Sequence, residues 1–169
     1  IMEIWQPGIT GDANAKTLAE VWTRTREAMR ERKNALGADI GKLADWIMPQ
    51  AWDAEGIRKV GKAAWVEDTL PLLNRKKYWD DATGEYLNDA QMREVLGEAR
   101  ETITTCGLNK PLHATGGKGS LGKRLGERHR EIHFKDPEAW YAMSKKYGER
   151  DVFQLMGRTV MKDAKDVAM

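Results

Sequence analysis

The chain predicts a mainly α-helical fold: a bundle-like helical domain with a long Gly- and Lys-rich loop and at most a small β-hairpin. Two observations predict the helices. Apolar residues recur at spacings of three, four and seven over several stretches, and helix-start and helix-stop residues stand at the ends of those stretches. A third predicts the loop, since between Gly107 and Lys135 the period is lost and glycines and cations take over. With 169 residues, 41% hydrophobic and 32% charged, the chain can bury one core of ordinary size.

Residues 1–11 read as a linker. From Asp12 to Leu36 the positions Leu18, Val21, Trp22, Thr25, Met29 and Leu36 fall on one face of a long helix that Gly37 is placed to end, with Glu20, Arg24, Glu27, Arg30 and Glu31 on a solvated face. Ile40, Leu43, Ala44 and Ile47 predict a short helix to Met48, stopped by Pro49. Ile57, Val60, Ala64 and Trp65 predict another, reaching about Thr69, and Asp80 to Gly84 is turn chemistry. Asn88, with Gln91 three residues on, is a capping box. It opens a helix that carries Met92, Val95, Leu96, Ala99, Ile103 and Cys106 on one face and closes at Gly107. On that stripe Cys106 is expected as a small buried hydrophobe.

After the stretch 107–135, His129 to Phe134 alternates and could pair as a strand. Asp136-Pro137-Glu138 then supplies an N-cap, a proline at the first helical position and an acid in the first turn. The helix it opens carries Trp140, Met143 and Tyr147 and stops at Gly148. The last, from Asp151, places Phe153, Met156, Val160, Ala164 and Val167 on its apolar face. The expected organisation is thus a linker 1–11, a helical part 12–106, a basic arm 107–135 and a helical part 136–169 within one domain. The beginning at Ile1 and the apolar-periodic end at Met169, with no stop residue, are expected of a segment of a longer polypeptide.

The bulk numbers narrow the function. A net charge of +2 gives no global field that would attract nucleic acid or an anionic membrane, so any basic site must be local. A single cysteine excludes an intramolecular disulfide and a multi-cysteine zinc cage, no apolar run is long enough to span a bilayer, and no signal-peptide pattern opens the segment.

The run Gly117-Lys118-Gly119-Ser120-Leu121-Gly122-Lys123 matches the spacing of a phosphate-binding loop, but Arg124 stands where a Ser or Thr hydroxyl must reach the metal ion. The approach through Pro111 also makes a poor central strand. Contact through charge survives that test. Lys110, Lys118, Lys123, Arg124, Arg128, Arg130 and Lys135 face only Glu127 and Glu131, so the arm carries a local +5. Lys118, Lys123, Arg124, Arg128 and Arg130 are its candidate phosphate contacts, with little sequence preference expected.

His129 and His133 are four apart, yet Arg130 occupies the position where a zinc-protease helix needs its glutamate, and no third ligand is indicated. Neither Ser120 nor Ser144 sits in a nucleophile turn, the Asp80-Asp81 pair lies in turn-like surroundings, and the tryptophans fit core packing. No catalytic residue, metal or cofactor is therefore expected.

Three stretches, "MPQAWDAEGIRKVGKAAWVEDTLPLL" (48–73), "TGEYLNDAQMREVLGEARETITTCGLNK" (83–110) and "GKGSLGKRLGERHREIHFKDPEAWYAMSKKYGERDVF" (117–153), resemble in that order a region of very large bacteriophage and prophage virion-associated proteins. The similarity runs from about residue 12 onward and is most specific in the "IHFKDPEAW…YG" block and the closing "DVAM" helix. Related sequences often have a tyrosine where Arg100 stands and continue past the last helix. The resemblance implies a helical module inside an internal or injected (polyvalent) virion protein and supplies no catalytic residues. The function expected is a non-enzymatic structural module of a large phage or prophage protein, found in the virion or the bacterial host cytoplasm. It would work through contacts with other virion or phage proteins in the particle or during genome delivery. The alternative is a nucleic-acid-binding module that uses the arm 107–135 on DNA.

Overall fold

The structure, a computed structural model, describes residues 1–37, 48–109 and 132–168. Among them are seven α-helices, α1 (Met2–Trp5), α2 (Ala13–Ala35), α3 (Ala54–Val60), α4 (Lys62–Thr69), α5 (Asp89–Thr104), α6 (Pro137–Tyr147) and α7 (Val152–Ala168). Two 3₁₀ turns, Leu70–Leu72 and Arg75–Lys77, precede one antiparallel hairpin of β1 (Trp79–Asp80) and β2 (Glu85–Tyr86). The fold is mainly α with one small hairpin, as the sequence predicts. The expected helix at 40–48 lies outside the described residues except for Met48, which is buried.

The chain forms two compact units, Ile1–Ala51 with Arg150–Met169, and Trp52–Glu149.

In the first unit the stretch expected as a linker holds α1, which packs on α2. Buried Glu3 ties it down by accepting from the N–H groups of Gly8 and Thr10 and from the Thr10 hydroxyl, each at 2.6 Å. Those bonds, the Thr10 hydroxyl's first, hold its carboxyl below the usual range. Asp12 caps α2 through Asn14 and Ala15, and Gly37 follows its end with φ +96°. The face of α2 differs from the expected one. Ala19 and Trp22 are buried, whereas Leu18 and Val21 are exposed and Leu36 is 66% exposed. On α7, Leu155 and Asp163 are buried and Phe153 is 78% exposed.

The reason is electrostatic. Asp163 forms ion pairs with Arg26 and with Lys33, whose Nζ is 2.7 Å from Asp163 Oδ1 and 3.0 Å from Asp166 Oδ2. Burying a carboxylate requires such partners, so this seam sets the rotation of both helices. Burial draws the Arg26 pKa below that of a free guanidinium.

In the second unit, Gly61 breaks the helix expected from Ile57 to Thr69. Its φ +86° and ψ 162° are open essentially only to glycine, and the chain leaves α3 and enters α4 at that residue. Ile57, Trp65, Met92, Leu96, Trp140 and Met143 are 3% exposed or less and make the centre of this core. The Asn88–Gln91 capping box is present with both reciprocal bonds, and Asp136 caps α6 with Pro137 in its first turn. Arg100 donates to the carbonyls of Ile57 and Arg58 at the end of α3, and Arg58 donates to the Thr104 carbonyl at the end of α5. Each helix thus has its orphan carbonyls capped by an arginine of the other.

Candidate functional site

The five expected phosphate contacts, Lys118, Lys123, Arg124, Arg128 and Arg130, lie outside the described residues, as do Ser120, His113 and His129. The structure does describe the two ends of the stretch that contains them. At the first, α5 closes in a Schellman arrangement, with Gly107 N–H on the Thr102 carbonyl at 2.8 Å and Cys106 N–H on that of Ile103 at 3.1 Å. Cys106 takes the left-handed position, φ +53°, and is exposed, contrary to the expected buried stripe. The cause is local: the helix ends at Thr104, so the 3.6-residue period no longer governs where Cys106 points.

At the other end, the expected extended piece is realised where it is described. Phe134 bridges Leu73 antiparallel, His133 offers its carbonyl to Asn74 N–H at 2.8 Å, and Lys135 N–H reaches the Leu72 carbonyl at 2.9 Å. The His133 N–H donates to the Tyr78 hydroxyl at 3.1 Å, and the two rings meet edge to face with centroids 5.8 Å apart. Burial pushes the Tyr78 hydroxyl from 10.0 up to about 12, against the opposing pull of that hydrogen bond.

This edge places the start of the hairpin beside the segment 132–135. Arg75, Lys76 and Lys77 form the turn before β1. Across the hairpin Trp79 faces Tyr86 with centroids 4.8 Å apart, and both rings stay accessible at 43% and 56% exposure. Asp80 holds the far turn, accepting from Ala82 N–H and the Thr83 hydroxyl, and Gly84 at φ +70° completes it. The hairpin is therefore polarised, with cations before β1 and acids toward the tip. Exposed rings beside cations can stack planar groups and hold phosphate. Sequence reasoning did not bring the hairpin to the end of the basic stretch because Tyr78 is separated from His133 in the chain by all of α5.

Elsewhere the shifted carboxylates are accounted for by structural pairs. Glu67 takes two bonds from Arg93, the shorter 2.6 Å, and Asp68 takes Lys146 Nζ at 2.6 Å and the Tyr147 hydroxyl. Arg93 first for Glu67, and Lys146 first for Asp68, hold these carboxyls below their ordinary range. Ionised and paired at neutral pH, they join helices rather than wait to transfer protons. Among the described residues no group of three or more His, Cys, Asp and Glu has a metal site's arrangement, and no helix is long and apolar enough to cross a membrane.

In the first unit the polar seam inside leaves apolar residues outside. Leu18 and Val21 on α2, Leu36 just past its end, and Phe153 and Met161 on α7 are all exposed. Periodicity signalled most of this set but assigned it to a core. Comparisons with protein-family models, with curated proteins and with solved structures find no match.

Proposed function

We propose that the chain is a non-enzymatic, helical structural module of a large phage or prophage virion-associated protein, resident in the virion or the host cytoplasm. It acts through protein–protein contacts in the particle or during genome delivery. The observation that supports this reading is the exposed apolar surface of α2 and α7. The ion pairs of Asp163 hold the two helices together, while Leu18, Val21, Phe153 and Met161 face outward, as a surface awaiting a partner would have them. The resemblance over 48–73, 83–110 and 117–153 supplies the biological setting. Mass spectrometry of gradient-purified particles from a strain carrying the parent gene, combined with cross-linking, tests it. Peptides of this segment should appear in particles cross-linked to other particle proteins, and their absence from particles would end the proposal.

A second reading is favoured by the surface at Lys76, Lys77, Trp79 and Tyr86, which lies where the chain returns from the basic arm. On this reading the module contacts nucleic acid with Lys118, Lys123, Arg124, Arg128 and Arg130. Binding to a single-stranded oligonucleotide should then weaken steeply with salt, and replacing those five by Ala should flatten the salt slope by about one unit per lost phosphate contact. No binding at low salt removes this reading.

A further inference from the structure

Helix α7 has three faces rather than two. Leu155 and Asp163, with half-buried Val152, Met156, Thr159 and Val167, turn inward. Outward runs a second apolar stripe, Phe153, Gly157, Met161, Ala164 and Ala168, at spacings of four, four, three and four, with Phe153 at 78% and Met161 at 75% exposure. Beside that stripe stand exposed Lys162 and Lys165. The two carboxylates of this part of the helix are engaged on its inner side, Asp163 by Arg26 and Lys33, and Asp166 by Lys33. The outer surface of α7 is therefore apolar along one line and positive along the next.

Building on the protein-contact reading above, we infer that this stripe docks an amphipathic helix of a partner protein whose apolar seam is flanked by Glu or Asp. The alternation of large and small residues supports a helix. Phe153 and Met161 are knobs, while Gly157, around whose missing Cβ nothing lies within 4 Å, and Ala164 leave holes for side chains of a facing helix. A lipid surface would reward bulky apolar groups at every outward position, and small residues give it little to bury. The basic line supports acidic flanks, which would both attract and orient the incoming helix.

The test uses the full chain and a fluorescently labelled synthetic helix with a leucine seam and glutamate flanks, read by anisotropy. A peptide of the same seam with lysine flanks, and vesicles rich in phosphatidylglycerol, are run in parallel. The glutamate peptide should bind and the lysine peptide should not. Phe153→Ser with Met161→Ser should weaken binding about tenfold or more, and Lys162→Glu with Lys165→Glu should transfer the preference to the lysine peptide. All four positions are exposed, so circular dichroism should show these variants folded. The inference is overturned by no binding of the glutamate peptide, by equal binding of both peptides, by vesicle binding that depends on Phe153 and Met161, or by sedimentation showing self-association through these residues. Particle association scored separately distinguishes the cases. A chain found in particles that ignores the peptide leaves the structural-module reading standing without this partner, and a chain that binds the peptide but is absent from particles does the reverse.

Discussion

Cys106 shows how one residue can be placed by the geometry of a helix end against its own preference. The Schellman closure of α5 requires a left-handed residue at that position, and a side chain with a Cβ pays there what glycine does not. Cys106→Gly should accordingly raise stability by about 1 kcal/mol, read as a higher denaturant midpoint with an unchanged slope. Tyr78 makes the second residue-scale prediction. Its folded pKa, raised to about 12 from 10.0, favours the neutral phenol in the fold. The stability it contributes is therefore complete below pH 10 and is lost as pH rises toward 12, by about 2 to 3 kcal/mol in all. Denaturation followed across that window should show the loss, and Tyr78→Phe should remove this part of it. At acid pH the sign reverses: the depressed carboxyls of Glu3, Glu67 and Asp68 stabilise the fold above their unfolded pKa values, and that stability drains as pH falls through the lower folded ones.

At the scale of the element, what was legible in the sequence was what the chain decides locally. Asn88 with Gln91, and Asp136 with Pro137, carry their meaning within one helical turn, and both caps form as read. Asn88→Ala should cost about 1 kcal/mol of stability, visible in thermal unfolding, and Asn88→Asp should retain most of it. Faces were harder to read than ends. Counting apolar residues turned Leu18, Val21 and Phe153 inward, because no local period reveals that Asp163 will meet Arg26 and Lys33 from far along the chain. Gly61 was passed over because an apolar spacing that continues across a glycine looks like one helix until the backbone dihedrals are known. The candidate surface divides in the same way. The basic arm was legible as composition, while the pairing of 132–135 with 72–74 that brings Tyr78, next to the hairpin, onto His133 is tertiary and left no local mark.

For the whole molecule, two cores imply two cooperative transitions. Trp22 reports on one unit, and Trp65 and Trp140 on the other. Asp163→Ala strips the seam between α2 and α7 and leaves Arg26 and Lys33, each about one-fifth exposed, without that carboxylate. The unit built from the chain ends should lose about 2 kcal/mol, less than a fully buried pair would because water reaches both cations. Hydrogen exchange should quicken in α2 and α7 and stay unchanged in α4, α5 and α6. Uniform acceleration across both units would show them to be one cooperative block. Replacing Arg26, Lys33 and Asp163 together by apolar residues of similar volume should recover most of the loss, since the one carboxylate left without its partner, Asp166, is exposed.

The backbone of the second unit starts and finishes at one place. Trp52 and Gly148 bridge antiparallel, and Asp53 N–H meets the Tyr147 carbonyl at 2.8 Å. Under tension applied at Ile1 and Met169, once α2 and α7 have parted, force would reach the helices of this unit by parting that short clamp. Antiparallel pairing makes its two strands leave from the same end, so its hydrogen bonds would open one after another like a zip rather than resist together. A pulled chain should therefore release residues 52–149 as a discrete lengthening step, a stored reserve of about a hundred residues of slack.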